Sequence, residues 1–342
     1  MDWDIDAMPP RPAAPALIQV TANETRQPLP RPPTMCAQAL PLPAGRVERR
    51  LLDGDPGLAY FVYRPQHAAA GAPMLVTVHG ISRNARQHAR LFAPFAEHAG
   101  VVVVSPLFAR ERFPAHQRLG RNVGGEDPSA VLERIVAEAA RLTGADGARL
   151  YLFGYSGGGQ FVHRYVLAHP ERVGGYVIGA AGWYTFPDAR RRYPYGLGRN
   201  AKLDVRGIDL PRFLAVPGCV LVGERDVHRG TALRSTERLA REQGASRIER
   251  GERWVEAMNA AAAALGMPPR LTFETLPRSA HSFRRSMRRG GMGERVFRYL
   301  FGLTPAAVAE ACNAGDAGEG GGRCIVPIRD KSMRIGDGET AS

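Results

Sequence analysis

The chain has 342 residues, 44% hydrophobic and 23% charged, an ordinary globular balance that can bury a sizeable core and leaves disorder to the ends. Its formal charge of +13, from 46 Lys and Arg against 33 Asp and Glu, raises attraction to anions without naming one, and the arginines read first as solvated surface. No run approaches the ~20 apolar residues of a membrane span, so none is expected; no nucleic-acid partner is expected either.

Residues 1 to about 45 are proline-rich with little periodic apolar pattern, which reads as an extended or disordered arm. Their start, MDWDIDAMPPRP, has neither the basic nor the apolar region of a signal peptide. A cytoplasmic location is the expectation, and export with the signal missing from this sequence is the alternative.

From Arg46, short apolar runs rich in β-branched and aromatic residues alternate with helical patterns. The strand candidates are Leu58–Tyr63, Met74–His79, Val101–Pro106, Arg149–Gly154, Gly175–Ala180, Cys219–Gly223 and Leu271–Leu276. The helix candidates are Gln87–His98, Ser129–Leu142, Gly158–Ala168, Thr231–Glu242, Glu252–Leu265 and Phe283–Phe301, with Ser129 as one cap and Gly244 or Gly266 just past two others. Strand and helix in regular order imply an α/β fold: a mostly parallel sheet of about eight strands with helices on both faces. The domain is expected over 46–303, and the Gly-rich stretch 304–342 reads as a loosely packed tail.

One stretch carries chemistry. Gly154-Tyr155-Ser156-Gly157-Gly158 follows the strand RLYLF and precedes the helical pattern QFVHRYVLAH. A serine on so tight a bend has a strained backbone and an exposed hydroxyl, and small residues two positions either side let strand and helix approach. The helix N-terminus offers free N–H groups to a developing oxyanion. Gly157 N–H is the natural first donor, and Ile81, after the strand that ends in His79-Gly80, is the expected second, with Ser82 the alternate.

A serine nucleophile needs a base, and the base an orienting acid. Asp226 follows the strand CVLVG, and His281 follows LTFETL through a short loop, both where an open α/β sheet places its crevice. Glu224 and Asp209 are rival acids. His79 precedes the elbow and is expected to brace its loop rather than react.

HGISRN, GYSGGG, GERD and SAHSF together resemble the α/β-hydrolase superfamily over Arg46 to Leu303. Within it, ADGARLYLFGYSGGGQFVHRYVLAHPERVGGYVIGAAGW looks like the group containing polyhydroxybutyrate depolymerases and feruloyl esterases. The resemblance implies a serine hydrolase acting on a small-molecule or oligomeric ester, with the chain order Ser156, Asp226, His281. A peptidase, an acyltransferase and a non-catalytic anion-binding protein are the alternatives.

The segment at about 182–218 is long for a connection and is expected to wall the cleft, with Trp183, Tyr184, Tyr193 and Tyr195 as an aromatic lining. The loop beginning LFARERFPAHQRL is expected opposite it. Arg284, Arg285, Arg288 and Arg289 lie beyond His281 on one helical face, where they read as water-facing. Cys36, Cys219, Cys312 and Cys324 have no CxxC spacing and no clustered histidines, so no metal or cofactor is expected. Cys312 and Cys324 could close a disulfide in an exported protein.

Overall fold

The computed structural model describes residues 42–119, 121–122, 126–200, 203–204, 208–227 and 236–304. Most of the proline-rich arm, the C-terminal tail and Cys36, Cys312 and Cys324 lie outside those residues. Leu42, at the foot of the arm, is already buried.

Eight of the strands form one sheet. They are β1 (Val47–Leu52), β2 (Asp55–Tyr63), β3 (Met74–Val78), β4 (Val102–Leu107), β6 (Leu150–Tyr155), β7 (Val173–Gly179), β9 (Gly218–Gly223) and β10 (Leu271–Leu276); the two-residue strands β5 (Arg121–Asn122) and β8 (Leu203–Asp204) pair separately. The sheet order is β1-β2-β4-β3-β6-β7-β9-β10. β1 and β2 run antiparallel at one edge, β2 is antiparallel to β4, and the remaining pairs are parallel. Every residue of β3, β7 and β9 is buried, which is why these segments read as continuous apolar runs rather than alternating ones. β1, VERRLL, is polar and only partly buried, so its pattern did not announce a strand.

The helices are α1 (Ala85–Ala99), α2 (Pro128–Thr143), α3 (Gly157–Ala168), α4 (Leu210–Ala215), α5 (Glu237–Gln243), α6 (Arg247–Ala264), α7 (Phe283–Arg289) and α8 (Met292–Phe301). Three expectations need correction. The N-cap of α2 is Asp127, whose side chain accepts from Ser129 N–H, so Ser129 lies inside the first turn. The stretch 283–301 is two helices, broken where Gly291 adopts φ +64° and the chain turns left-handed. α6 begins five residues earlier than expected, capped by Ser246 through Glu249 N–H; residues 231–235 of the candidate before it lie outside the described residues.

Because β3, β6, β9 and β10 are parallel, their carboxyl ends share one edge of the sheet, and Gly80, Ser156, Asp226 and His281 all follow there.

Candidate active site

Ser156 sits between β6 and α3 with φ 55° and ψ −113°, a conformation that side-chain-bearing residues rarely adopt. The surrounding glycines account for it sterically. A β-carbon on Gly158 would stand 1.9 Å from the Val78 carbonyl oxygen, and one on Gly154 would stand 2.2 Å from the Gly158 carbonyl oxygen. Strand and helix can meet at this angle only with hydrogen at both positions.

The loop after β3 lies against the same bend. A β-carbon on Gly80 would touch the Ser156 Cβ at 3.3 Å, and the Ile81 nitrogen lies 3.6 Å from where a β-carbon on Gly157 would stand. The Gly157 N–H, in the first turn of α3, has no acceptor within the helix. The backbone nitrogens of Gly157 and Ile81 therefore border one small space beside Ser156.

His79 shapes that loop. It is fully buried; its Nδ1 is 2.9 Å from the Gly80 carbonyl, and its Nε2 accepts the Phe108 N–H at 3.0 Å. Both nitrogens are engaged by backbone, and burial lowers its pKa from 6.5 to about 4, so the ring is neutral near pH 7. The His116 Nε2 lies 3.2 Å from the His79 carbonyl, and the His116 Nδ1 accepts from Arg83.

His281 reaches Ser156 from the loop after β10. Its Nε2 is 3.1 Å from Ser156 Oγ and its Nδ1 is 2.7 Å from Asp226 Oδ2. With Nδ1–H donating to the carboxylate, Nε2 is free to accept the serine hydroxyl. Packing holds the ring in place: Tyr155 stacks on it at 5.4 Å, and two residues on, Phe283 is buried with its ring stacked on His88 at 3.8 Å. The loops carrying Asp226 and His281 abut because residue 223 is glycine; a β-carbon there would lie 2.3 Å from the Ser279 carbonyl oxygen.

Asp226 is buried and makes a second contact that the sequence did not suggest. Its Oδ1 accepts from Arg247 Nη1 at 2.8 Å, and both side chains are 3% exposed. Arg247 is the first residue of α6, and among so many arginines nothing in its neighbours distinguishes it. Neither rival acid approaches His281: Asp209 caps α4 through Arg212 N–H, and Glu224 accepts the Arg278 N–H.

A cavity of about 150 Å³ opens beside Ser156. Gln117 and Arg118 come from the loop after β4, Gln160 from α3 and Trp183 from the segment after β7, with Ile81 and Gly157 at the serine. The carboxamide oxygens of Gln117 and Gln160 are buried without a hydrogen-bond partner among the described residues, an arrangement that suits a polar visitor. Behind Trp183 lies Arg164, fully buried, its guanidinium 4.1 Å from the indole ring; it donates to Thr185 Oγ1 and to the Gln160 and Gln117 carbonyls. Gln117, Gln160 and Arg164 went unnoticed in the sequence because their roles depend on which loops meet.

Two aromatic expectations are corrected. Tyr184 is fully buried, stacked on Trp254 at 4.9 Å, and Tyr193 is 3% exposed with its hydroxyl donating to the Arg118 and Leu119 carbonyls. Both pack the insertion against the body rather than line the cavity beside Ser156. Arg284, Arg285, Arg288 and Arg289 are exposed. Among the described residues no group of three or more His, Cys, Asp or Glu side chains is placed to hold a metal ion, and no helix is long and apolar enough to cross a membrane.

No protein-family model and no curated protein sequence matches the chain. Solved structures do. The poly(3-hydroxybutyrate) depolymerase LpqC from Bordetella parapertussis superposes with a TM-score of 0.62 at 28% identity, over 78% of this chain and 94% of that one. This is an α/β-hydrolase fold, and the chain resembles serine hydrolases of the depolymerase kind. A second structure, poly(aspartic acid) hydrolase-1 from Sphingomonas sp. KT-1, matches with a TM-score of 0.59 at 28% identity, over 68% of this chain and 93% of that one. The eight-stranded, mostly parallel sheet agrees with the expected fold class.

Proposed function

We propose that the protein hydrolyses carboxylic esters through an acyl-enzyme on Ser156. The observation that carries this reading is the continuous contact from Ser156 Oγ to His281 Nε2 at 3.1 Å and from His281 Nδ1 to Asp226 at 2.7 Å.

Ser156 Oγ attacks the ester carbonyl while its proton passes to His281 Nε2, and the Gly157 and Ile81 N–H groups hold the oxyanion. The alkoxide leaves with that proton as an alcohol. Water then gives a proton to His281 and its oxygen to the acyl carbon, releasing the acid and restoring Ser156. Asp226 keeps the imidazole in the right tautomer and stabilises its charged form without taking the proton. Arg247 in turn fixes the carboxylate.

The cavity is small beside the ~300–1,000 Å³ of pockets that enclose drug-sized ligands. With the Gln117 and Gln160 carboxamide oxygens unpartnered among the described residues, it fits a short, polar acyl unit better than a long alkyl chain. Similarity to a poly(3-hydroxybutyrate) depolymerase supports an oligomeric ester as the substrate.

The test is hydrolysis of p-nitrophenyl acetate by wild type, Ser156→Ala and His281→Ala. Each variant is expected to lose about 10⁴-fold or more in kcat. Turnover by Ser156→Ala within about tenfold of wild type would remove Ser156 from the nucleophile role.

A further inference from the structure

A second cavity, of about 350 Å³, is tied to the one at Ser156 by a single ring contact. Its lining includes Arg190, Arg191, Arg192 and Tyr195 from the segment after β7, and Arg238 and Glu242 from α5. Tyr195 packs on Trp183 with ring centroids 4.7 Å apart, and Trp183 lines the Ser156 cavity. The two cavities therefore share an aromatic wall two rings thick.

Their charge has one sign. Arg190 and Arg191 both pair with Asp188, at 3.1 and 3.4 Å, while Arg191 and Arg238 both pair with Glu242, at 3.0 and 2.9 Å. Each carboxylate is thus divided between two guanidiniums. Arg192 is exposed and has no acidic partner among the described residues. Four arginines against two carboxylates leave a positive surplus inside a concave space, where the field is stronger than on a convex surface. The Ser156 cavity continues the same sign: among the described residues its lining includes Arg118 and no carboxylate, and the buried guanidinium of Arg164 lies behind Trp183. Burial lowers the Arg164 pKa only to about 10, so it stays charged near neutral pH.

Guanidiniums recognise carboxylates through paired N–H donors, a geometry suited to a chain of repeating carboxylates. We propose that the arginine cavity is a carboxylate-binding subsite of the catalytic cleft, and that the substrate is an ester-linked chain bearing carboxylate groups. Its scissile carbonyl lies at Ser156, and an anionic unit further along passes the Trp183–Tyr195 pair to reach Arg190 and Arg192. The proposal rests on the hydrolase reading above and adds to it the charge of the substrate and the direction in which it lies.

The experiment compares an oligomer of malic acid, which carries free carboxylates, with an oligomer of lactic acid of equal length, which does not. Each oligomer is supplied as its p-nitrophenyl ester, and release of p-nitrophenolate is followed with wild type and with the double variant Arg190→Gln/Arg192→Gln. Both side chains are exposed, so unchanged turnover of p-nitrophenyl acetate is expected and reports an intact fold. Wild type is expected to favour the malic oligomer by about tenfold in kcat/KM, mostly through KM. The preference should shrink as salt is raised to about 0.5 M and be largely lost in the double variant. Equal turnover of the two oligomers by wild type, or a double variant that keeps the preference, overturns the subsite. Failure of wild type to hydrolyse p-nitrophenyl acetate overturns the hydrolase reading itself, and the subsite with it.

Discussion

The two ends of the contact chain at His281 are held by different physics. On the serine side, position is set by backbone against backbone: Gly154 and Gly158 leave no room for a β-carbon, and Ser156 is carried at φ 55° by the meeting of β6, α3 and β3. On the acid side, position is set by side-chain charge: Asp226 stands on a turn after β9 and is fixed by His281 and a buried Arg247. A steric requirement at fixed spacing leaves a mark in five consecutive residues. An ion pair spanning 21 positions leaves none.

The largest expected effect lies on the serine side. Gly158→Ala should destabilise the fold by on the order of 4 kcal/mol or more, because the clash is with the backbone of a central strand that cannot give way. Chemical denaturation measures it, or a failure to obtain soluble protein. A variant within about 1 kcal/mol of wild type would break the contrast, since backbone packing would then not be what holds the elbow.

Next comes the acid side. Arg247→Met leaves Asp226 as a buried carboxylate without its cation, which should cost about 3 kcal/mol of stability. If Arg247 also sets the aim of Asp226, kcat should fall about 10- to 100-fold with KM little changed, and Arg247→Lys should recover part of it. Loss of stability with full kcat would make Arg247 structural alone.

A third expectation separates the two sides by pH. His79, His88 and His116 surround the β3 loop and α1, and burial holds the pKa of each below its ordinary value of 6.5, to about 4 for His79. In the window between those values the unfolded chain binds protons that the folded chain does not, so stability is full above about pH 6.5 and falls as pH drops toward 4. For His79 alone the loss by pH 4 is about 3 kcal/mol. Amide exchange at pH 5 should rise first in the β3 loop and α1. Uniform exchange across the β3 and β9 loops would contradict this.

How much was legible follows the same division. The sheet's buried strands stood out as apolar runs, and strand ends and spacing pointed to one sheet edge for Ser156, Asp226 and His281, which the structure brings into contact there. β1 was missed because an edge strand facing water keeps a polar pattern, and the break at Gly290-Gly291 was missed because α7 and α8 continue one apolar face. The aromatic residues after β7 were read as lining because composition does not say which way a ring turns. Trp183 does border the cavity, whereas Tyr184 packs on Trp254. The smallest expected effect tests that correction. Tyr184→Phe removes a buried hydroxyl that has no partner among the described residues, so stability should change by less than about 1 kcal/mol and KM for small esters should not move. A severalfold rise in KM would return Tyr184 to the cleft.

The proposed mechanism stands or falls on Ser156 as the nucleophile. Labelling with a fluorophosphonate followed by peptide mapping tests it most directly. A single phosphonyl group on the peptide containing Ser156, absent from Ser156→Ala, is the predicted result. An adduct on another residue, or undiminished labelling of Ser156→Ala, would contradict it.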